Sequence, residues 1–169
     1  NIKEFQPNWR ADQGPVVVIG AGGGSRAVCQ GLIQEGATEI RLVNRHLERA
    51  QIIQSDLGGP LQAHAWSDRH DLMAGASMVV NTTSQGMVGQ TPLDIDLAKL
   101  PVSALATDIV YTPLETPFLE QARLRGNRTL NGLGMLLHQA VPGFEKWFGV
   151  RPEVTDELRQ LIIADLEAS

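Results

Sequence analysis

The glycine-rich segment at residues 20–25 lies between an apolar run and a helical pattern, and this arrangement constrains the fold more than any other feature of the chain. Residues 15–19 are apolar throughout, which is typical of a strand covered on both faces of a sheet. Gly20 permits a tight turn, Gly22 lets the backbone approach a pyrophosphate, and the small Ser25 allows the following helix to pack closely on the strand.

The segment therefore predicts a dinucleotide site at the amino terminus of that helix, whose free N–H groups bind phosphates. The predicted cofactor-binding residues of this loop are Gly20, Ala21, Gly22, Gly23 and Gly24. The alternative is a glycine-rich turn that binds no ligand.

After residue 14, short β-branched runs alternate with longer helical patterns, which is typical of repeated strand–helix–strand units. Strands are predicted at residues 15–19, 39–43, 62–66, 77–80, 105–110 and 128–130, and helices at 22–34, 47–57, 69–74, 117–125, 134–147 and 155–166. The pattern predicts an α/β fold, with a doubly wound, mainly parallel, Rossmann-like sheet of about six strands and flanking helices. We assign residues 15–169 to this domain. Residues 1–14 show no clear period, and we expect the chain to be part of a longer protein.

Composition and charge disfavour several classes of partner. The chain has 14 Lys and Arg residues against 19 Asp and Glu residues, and its basic residues form no long run, which disfavours binding to nucleic acid. Its apolar stretches are far shorter than the roughly 20 residues of a membrane span, and no secretory leader is recognisable. The single Cys29 cannot form an intrachain disulfide, which fits a reducing compartment. We therefore expect a cytoplasmic protein that binds neither nucleic acid nor a membrane.

The loop that follows the second predicted strand contains Asn44, Arg45, His46 and Arg49, with no acidic residue at the strand end. NAD-binding domains usually place Asp or Glu there, to accept a hydrogen bond from the ribose 2′-hydroxyl. Arg45 and Arg49 can instead clamp a 2′-phosphate through charge-assisted hydrogen bonds. The alternative is two solvated arginines, although cations near a helix amino terminus oppose the helix dipole unless an anion is present. The loop therefore predicts NADP(H) rather than NAD as the cofactor.

Five short motifs occur in one order along the chain. They are Gly20-Ala21-Gly22-Gly23 with Arg26-Ala27, then Asn44-Arg45-x-x-x-Arg49-Ala50, Asn81-x-Thr83-Ser84-x-Gly86-Met87, Asp108-Ile109-Val110-Tyr111 and Asn131-Gly132-Leu133-Gly134-Met135-Leu136-Leu137-His138-Gln139. Together they resemble the motifs of shikimate dehydrogenase over nearly all of the chain from Pro15 onward. The resemblance implies the NADP(H)-binding domain of an oxidoreductase that reversibly reduces 3-dehydroshikimate to shikimate in aromatic amino-acid biosynthesis.

The resemblance also implies roles for residues outside the glycine loop. Ile109 and Gly132 would lie along the nicotinamide, Met135 would lie beside that ring, and Ser84 would flank the same end of the cleft. His46 stands where the family usually has Thr beside the 2′-phosphate, so an imidazole contact would replace a hydroxyl contact. No metal site is expected, because His64 and His70 are six residues apart and have no Cys or carboxylate at the spacing of metal ligands.

Tyr111 and Gln139 are the substrate-binding residues that the resemblance implies, and they would face the hydroxyls and carboxylate of shikimate. The catalytic Lys and Asp of the family belong to an amino-terminal substrate domain, which this chain lacks. Residues 1–14 are accordingly interpreted as a linker or hinge from that domain. No catalytic residue is therefore assigned in this chain, and we expect it to be inactive alone. The partners expected are that domain and the small-molecule substrate, and a homodimer is left open.

Two other functions stay open at this point. One is a quinate/shikimate dehydrogenase with broader substrate use, although an acidic residue at the position of Arg45 would have favoured that NAD-using branch. The other is a non-catalytic NADP-binding module, against which the substrate-facing Tyr111 and Gln139 count.

Several side chains are given structural interpretations. Asp108 ends a predicted strand beside the proposed cleft, and we expect it to accept structural hydrogen bonds rather than to exchange protons. His64 and His70 are interpreted as surface residues. Packing in the core or against another domain is expected for Trp66, Trp147 and Phe148.

Overall fold

Six parallel strands form one sheet in the computed structural model, which describes residues 1–168 without the side chain of Glu167. Ser169, the last residue of the predicted domain, lies outside the described residues. The strand order is β3-β2-β1-β4-β5-β6. The strands are β1 Val16–Ile19, β2 Ile40–Asn44, β3 Leu61–Ala65, β4 Met78–Asn81, β5 Leu105–Asp108 and β6 Arg128–Leu130. The predicted doubly wound, Rossmann-like α/β fold is confirmed.

Helices cover the sheet and connect its strands. They are α1 Ile2–Phe5, α2 Gly23–Gln34, α3 Leu47–Leu57, α4 Pro117–Leu124, α5 Leu133–Phe148 and α6 Asp156–Ala168. The predicted helix at residues 69–74 is wrong, because the chain forms 3-10 turns at Trp66–Asp68 and Asp71–Met73 instead. Short 3-10 turns of this kind are common as connectors between longer elements.

The apolar run in β1 is explained by burial on both faces of the sheet. Val16 and Val18 pack on a first face, together with Cys29 of α2, while Val17 and Ile19 pack on the opposite, second face. All four β1 side chains are fully buried. Burial also raises the pKa of the Cys29 thiol to about 12, so this side chain is a neutral part of the core.

The segment at residues 1–14 packs against the domain. The side-chain amide of Asn1 donates to the backbone oxygen of Asn131 (2.9 Å). In α1, the Glu4 carboxylate lies 3.0 Å from the Arg159 guanidinium and 2.9 Å from Nε2 of His138. These contacts join α1 to α5 and α6. Whether the segment is a hinge to another domain stays a prediction.

Two of the aromatic side chains expected to pack are exposed at the end of α5. Trp147 is 81% exposed and Phe148 is 65% exposed, so core packing is wrong for both within the described residues. In the part of the chain that the structure describes, no residue of α5 belongs to the core cluster on either face of the sheet. Packing against another domain stays a prediction for these two residues. Trp66 does pack against the core of the second face, as predicted. No helix among residues 1–168 is both long enough and apolar enough to cross a membrane.

Candidate functional site at the carboxyl edge of the sheet

The loops with the predicted site residues emerge side by side, because all six strands are parallel. Ile19 at the end of β1 is in register with Val43 of β2 on one side and with Asn81 of β4 on the other. From β1 the chain proceeds to β2 and β3 in one direction and then crosses to β4 in the other. In open α/β sheets such a switch point opens the crevice in which ligands bind.

The glycine loop depends on its first glycine for close packing. Gly20 has φ of +104°, and a Cβ there would lie 2.7 Å from Cγ2 of Thr83. Gly22 caps α2 without a side-chain hydrogen bond, and no other atom lies within 4 Å of a Cβ built on it. Ala21 is half-buried, whereas the three glycines after it are exposed. The amino terminus of α2 therefore presents free backbone N–H groups to open space, which suits an anion.

The loop after β2, the strand that pairs with β1 on one side, carries two cations. The Asn44 side-chain amide donates to the His46 backbone oxygen (2.8 Å) and holds the turn into α3. Arg45 precedes the helix and Arg49 lies in its first turn, both exposed. Within the described chain, neither guanidinium has a hydrogen bond or ion pair with another residue. His46 caps α3 without a side-chain bond to the backbone, and its Nδ1 lies 3.5 Å from Oε1 of Glu48.

The polar segment after β4 ties the glycine loop to β4, a contribution that the sequence interpretation did not assign. The Thr82 hydroxyl donates to the backbone oxygen of Ile19 (2.6 Å). Oδ1 of Asn81 accepts from the backbone N–H and the hydroxyl of Thr83 (3.0 and 2.8 Å). The motif Asn81-x-Thr83 directly follows a strand that neighbours β1, and this adjacency is the signal that could have revealed the role. Ser84 is exposed on the same segment.

Asp108 joins three elements through its carboxylate. Its Oδ1 accepts from the Asn81 side-chain amide (3.0 Å) and the Val110 backbone N–H (2.9 Å), and its Oδ2 accepts from the Thr116 hydroxyl (2.8 Å). Thr116 in turn caps α4 by accepting from the backbone N–H of Leu119. Asp108 is 2% exposed. The hydrogen bonds predicted for Asp108 are present, and they connect β4, the segment after β5 and α4; that it does not exchange protons stays a prediction.

Burial raises the pKa of Asp108 above its ordinary value, and the three hydrogen bonds do not cancel this effect. The folded chain therefore binds a proton here more readily than the unfolded chain does. The extra proton affinity of the folded state stabilises it fully when the pH is below the pKa of Asp108 in the unfolded chain, near 3.8. This contribution to the free energy of unfolding is lost as the pH rises through the higher pKa of Asp108 in the folded chain.

We expect the stability of the wild-type chain relative to Asp108→Asn to decrease with rising pH over this window, because asparagine does not titrate. Urea denaturation of both proteins at a series of pH values measures the difference. Asp56→Asn, which changes an exposed carboxylate, is the control. A difference that stays constant or grows with pH would contradict the assignment.

Ile109, Gly132 and Met135 come together where α5 begins. The Gly132 backbone N–H donates to the Val110 oxygen (3.0 Å), and a Cβ on Gly132 would overlap the Ile109 carbonyl. A Cβ on Gly24 would lie 3.0 Å from Cδ1 of Ile109, so the glycine loop meets the same residue. Ile109 and Met135 also line a cavity of about 740 Å³ beside α2. Of the three residues that the resemblance assigned to the nicotinamide, Ile109 and Gly132 are in contact, and Met135 lines the same cavity as Ile109.

The two predicted substrate residues follow these elements, and they are not hydrogen-bonded to each other within the described chain. Tyr111 is half-buried and precedes the cis peptide bond between Thr112 and Pro113. Gln139 is exposed on α5, one helical turn after Met135 and on the same face. Residues 1–168 include no group of three or more His, Cys, Asp or Glu side chains that could hold a metal ion.

Two family models match this chain. Residues 3–94 match the model described as Shikimate / quinate 5-dehydrogenase. Residues 132–161 match the model described as Shikimate 5′-dehydrogenase C-terminal domain. A shikimate dehydrogenase (NADP(+)) of Mesorhizobium japonicum is 56% identical over 98% of the chain, which spans only 59% of that relative.

Solved structures resemble the chain over a similar span. A quinate dehydrogenase from Corynebacterium glutamicum in complex with NAD has a TM-score of 0.85 and 31% identity, over 96% of this chain and 58% of that one. A shikimate 5-dehydrogenase from Thermus thermophilus in complex with NADP(H) and shikimate has a TM-score of 0.74 and 30% identity, over 90% of this chain and 56% of that one.

Proposed function

Because this chain belongs to the shikimate/quinate 5-dehydrogenase family, we propose that it is the cofactor-binding part of a shikimate dehydrogenase that uses NADP(H). The observation that carries the proposal is the pair of unpartnered guanidinium groups, Arg45 and Arg49, next to the open amino termini of α2 and α3. An isolated pair of cations at a helix start is unfavourable unless an anion joins them. A ribose 2′-phosphate supplies that anion, and it distinguishes NADP from NAD.

The residues present fit this cofactor. The space beside Gly22 is open, since no other atom lies within 4 Å of a Cβ built there. Because glycine has no side chain to fill this space, a pyrophosphate has room to bind the N–H groups of α2. In the proposal, His46 joins the two arginines at the 2′-phosphate. Ile109, Gly132 and Met135 hold the nicotinamide, with Ser84 at the edge of that end. The nicotinamide ring gives or takes a hydride when it is bound.

The substrate is bound between this chain and the rest of the protein in the proposal. Tyr111 and Gln139 bind and orient the hydroxyls and carboxylate of shikimate on the nicotinamide side. Hydride delivery to a ketone develops negative charge on oxygen, so a proton donor within hydrogen-bond reach is required. We assign that donor to the part of the protein outside this chain, because the relatives are longer and this chain spans 59% of the first of them. The chain alone is then expected to be inactive.

The exposed aromatic side chains at the end of α5 favour the presence of another domain that packs on them. The Phe144 and Phe148 rings form a tilted pair with centroids 4.5 Å apart, and Trp147 on the same helix is largely exposed. On α6, Leu158 and Leu161 are exposed as well. Large apolar patches on a surface mark interaction sites. We propose that the aromatic end of α5 packs on the substrate domain of the longer protein, with a homodimer as the alternative occupant, and that the protein works in the cytoplasm.

A second candidate is a dehydrogenase that acts on quinate. It is favoured by the similarity to the quinate dehydrogenase of Corynebacterium glutamicum, a structure in complex with NAD. The cationic loop at Arg45 and Arg49 weighs against NAD use in this chain, because no acidic residue at the end of β2 is available to bind a ribose 2′-hydroxyl.

The deciding experiment assays the full-length protein and this chain with shikimate or quinate, each with NADP⁺ or NAD⁺, and follows the absorbance of the reduced nicotinamide. We expect the full-length protein to be fastest with shikimate and NADP⁺, and this chain to show no turnover. A preference for quinate and NAD⁺ would support the second candidate. Turnover by this chain alone would contradict the assignment of the proton donor to the missing part.

A further inference from the structure

Trp66 lies next to the cationic loop, although the sequence interpretation assigned it only a packing role. β3 pairs with β2 in the register Ala65 to Asn44, so Trp66 and Arg45 are the residues that follow two neighbouring strand ends. Neighbouring strands lie about 4.8 Å apart. The 3-10 turn Trp66–Asp68 also contacts β2 directly.

The indole of Trp66 is held by contacts with the core and with Arg69, and part of its surface stays accessible. It packs against the core of the second face but remains half-buried rather than enclosed. The Arg69 guanidinium carbon lies 4.9 Å from the ring centroid, and Nη1 of Arg69 donates to the Trp66 backbone oxygen (3.1 Å). Arg69 is itself anchored by Asp94, through the carboxylate (2.8 Å) and the backbone oxygen (3.0 Å). The ring is therefore preorganised at low entropic cost for a further planar group.

The connectivity of the cofactor decides which group would reach this ring. In the proposed site, the 2′-phosphate lies at Arg45 and Arg49 and the pyrophosphate lies at α2, on the β1 side of that loop. Adenine is attached to the ribose carbon next to the one that carries the 2′-phosphate. With the β1 side occupied, the base extends toward the end of β3, where Trp66 stands.

We propose that Trp66 forms the adenine-facing wall of the nucleotide site, and that Arg69 positions its ring. This inference rests on the proposed NADP(H) site. An indole suits a purine, because aromatic rings attract each other in offset stacked or edge-to-face geometry beyond the effect of the area they bury.

Fluorescence of Trp66 tests the proposal without any turnover. The chain has three tryptophans, so Trp9→Phe and Trp147→Phe leave Trp66 as the sole indole. The probe is adenosine 2′,5′-bisphosphate, which carries the base and the 2′-phosphate but no nicotinamide that could accept energy from the indole. We expect its addition to change the Trp66 emission, with a midpoint equal to the dissociation constant from calorimetry.

A matched pair of variants tests the contribution to affinity. Trp66→Leu keeps an apolar side chain on the core but removes the aromatic face, and we expect it to weaken binding of adenosine 2′,5′-bisphosphate about tenfold. Trp66→Phe should restore most of the affinity. Trp147→Leu, on the exposed end of α5, should leave it unchanged. Thermal denaturation of each variant checks that the fold is retained.

The outcomes separate this inference from the function on which it rests. Calorimetric binding without a change in Trp66 emission, together with unchanged affinity of Trp66→Leu, would overturn the adenine wall and leave the NADP(H) site intact. If adenosine 2′,5′-bisphosphate does not bind the wild-type chain at all, the proposed cofactor site itself fails. Restoration by Phe distinguishes an aromatic contact from a merely structural effect of the substitution.

Discussion

Replacing Arg45 and Arg49 together by alanine is expected to abolish the preference of this chain for NADPH over NADH. Both guanidinium groups lack a partner within the described residues, so their removal breaks no contact that stabilises the fold. Hydrogen bonds to charged groups contribute roughly 1.5–3 kcal/mol each. Since about 1.4 kcal/mol corresponds to a factor of ten, we expect the affinity for NADPH to fall at least tenfold while that for NADH hardly changes. Calorimetric titration of the chain with each nucleotide measures both affinities.

A charge-matched control is available on the same chain. Arg10→Ala with Arg123→Ala removes the same net charge from exposed side chains that are paired with Asp12 and Glu115 instead. This control should retain the preference for NADPH, apart from a small loss that salt screens. If the Arg45 and Arg49 variant weakened NADPH and NADH equally, the arginines would not be the 2′-phosphate clamp. If the control lost the preference for NADPH to the same extent, the preference would depend on the net charge of the protein rather than on these two arginines.

Gly132→Ala is expected to lower the free energy of unfolding strongly. The Cβ of alanine would overlap the Ile109 carbonyl and would lie 2.8 Å from the Val110 oxygen. Both are backbone atoms, which cannot rotate away as a side chain can. Overpacking typically costs about 1–3 kcal/mol, and we expect the upper end of this range because α5 must shift as a whole. Urea denaturation measures the loss as a lower midpoint at an unchanged slope.

Gly134→Ala provides the matched control two residues further along the same helix. A Cβ at Gly134 would meet the end of the Asn1 side chain, which can rotate away more easily than a backbone atom can. We therefore expect a smaller loss of stability than for Gly132→Ala, although both substitutions add one methyl group to α5. A larger loss for Gly134→Ala would show that the contact of α5 with α1 is more rigid than its contact with the segment after β5.

Local patterns predicted the elements well, because each depends on residues that are close in sequence. The predicted strands, and the helices other than 69–74, agree with the structure to within two residues at each end. In β1 and α2, the apolar run and the glycine turn specify the strand, the turn and the helix start without any distant contact. The loop at Arg45 and Arg49 was recognisable for the same reason, since its charge pattern lies within six residues of one chain segment.

Contacts between distant residues were not predictable in this way. Asn81, Asp108 and Thr116 form one hydrogen-bonded network only because β4 and β5 are neighbours in the sheet, and the sequence interpretation assigned a structural role to Asp108 without its partners. The requirement for glycine at position 132 comes from Ile109, which is more than twenty residues earlier.

The sequence by itself determined the strand and helix pattern, the open glycine turn and the cationic loop, because periodicity and turn chemistry are local properties. Only the tertiary structure decided that Trp147 and Phe148 stand exposed at the end of α5, since exposure depends on where a helix lies relative to the sheet. It also decided that Trp66 follows β3 beside Arg45, because strand order and register bring together residues that are twenty-one positions apart in the chain.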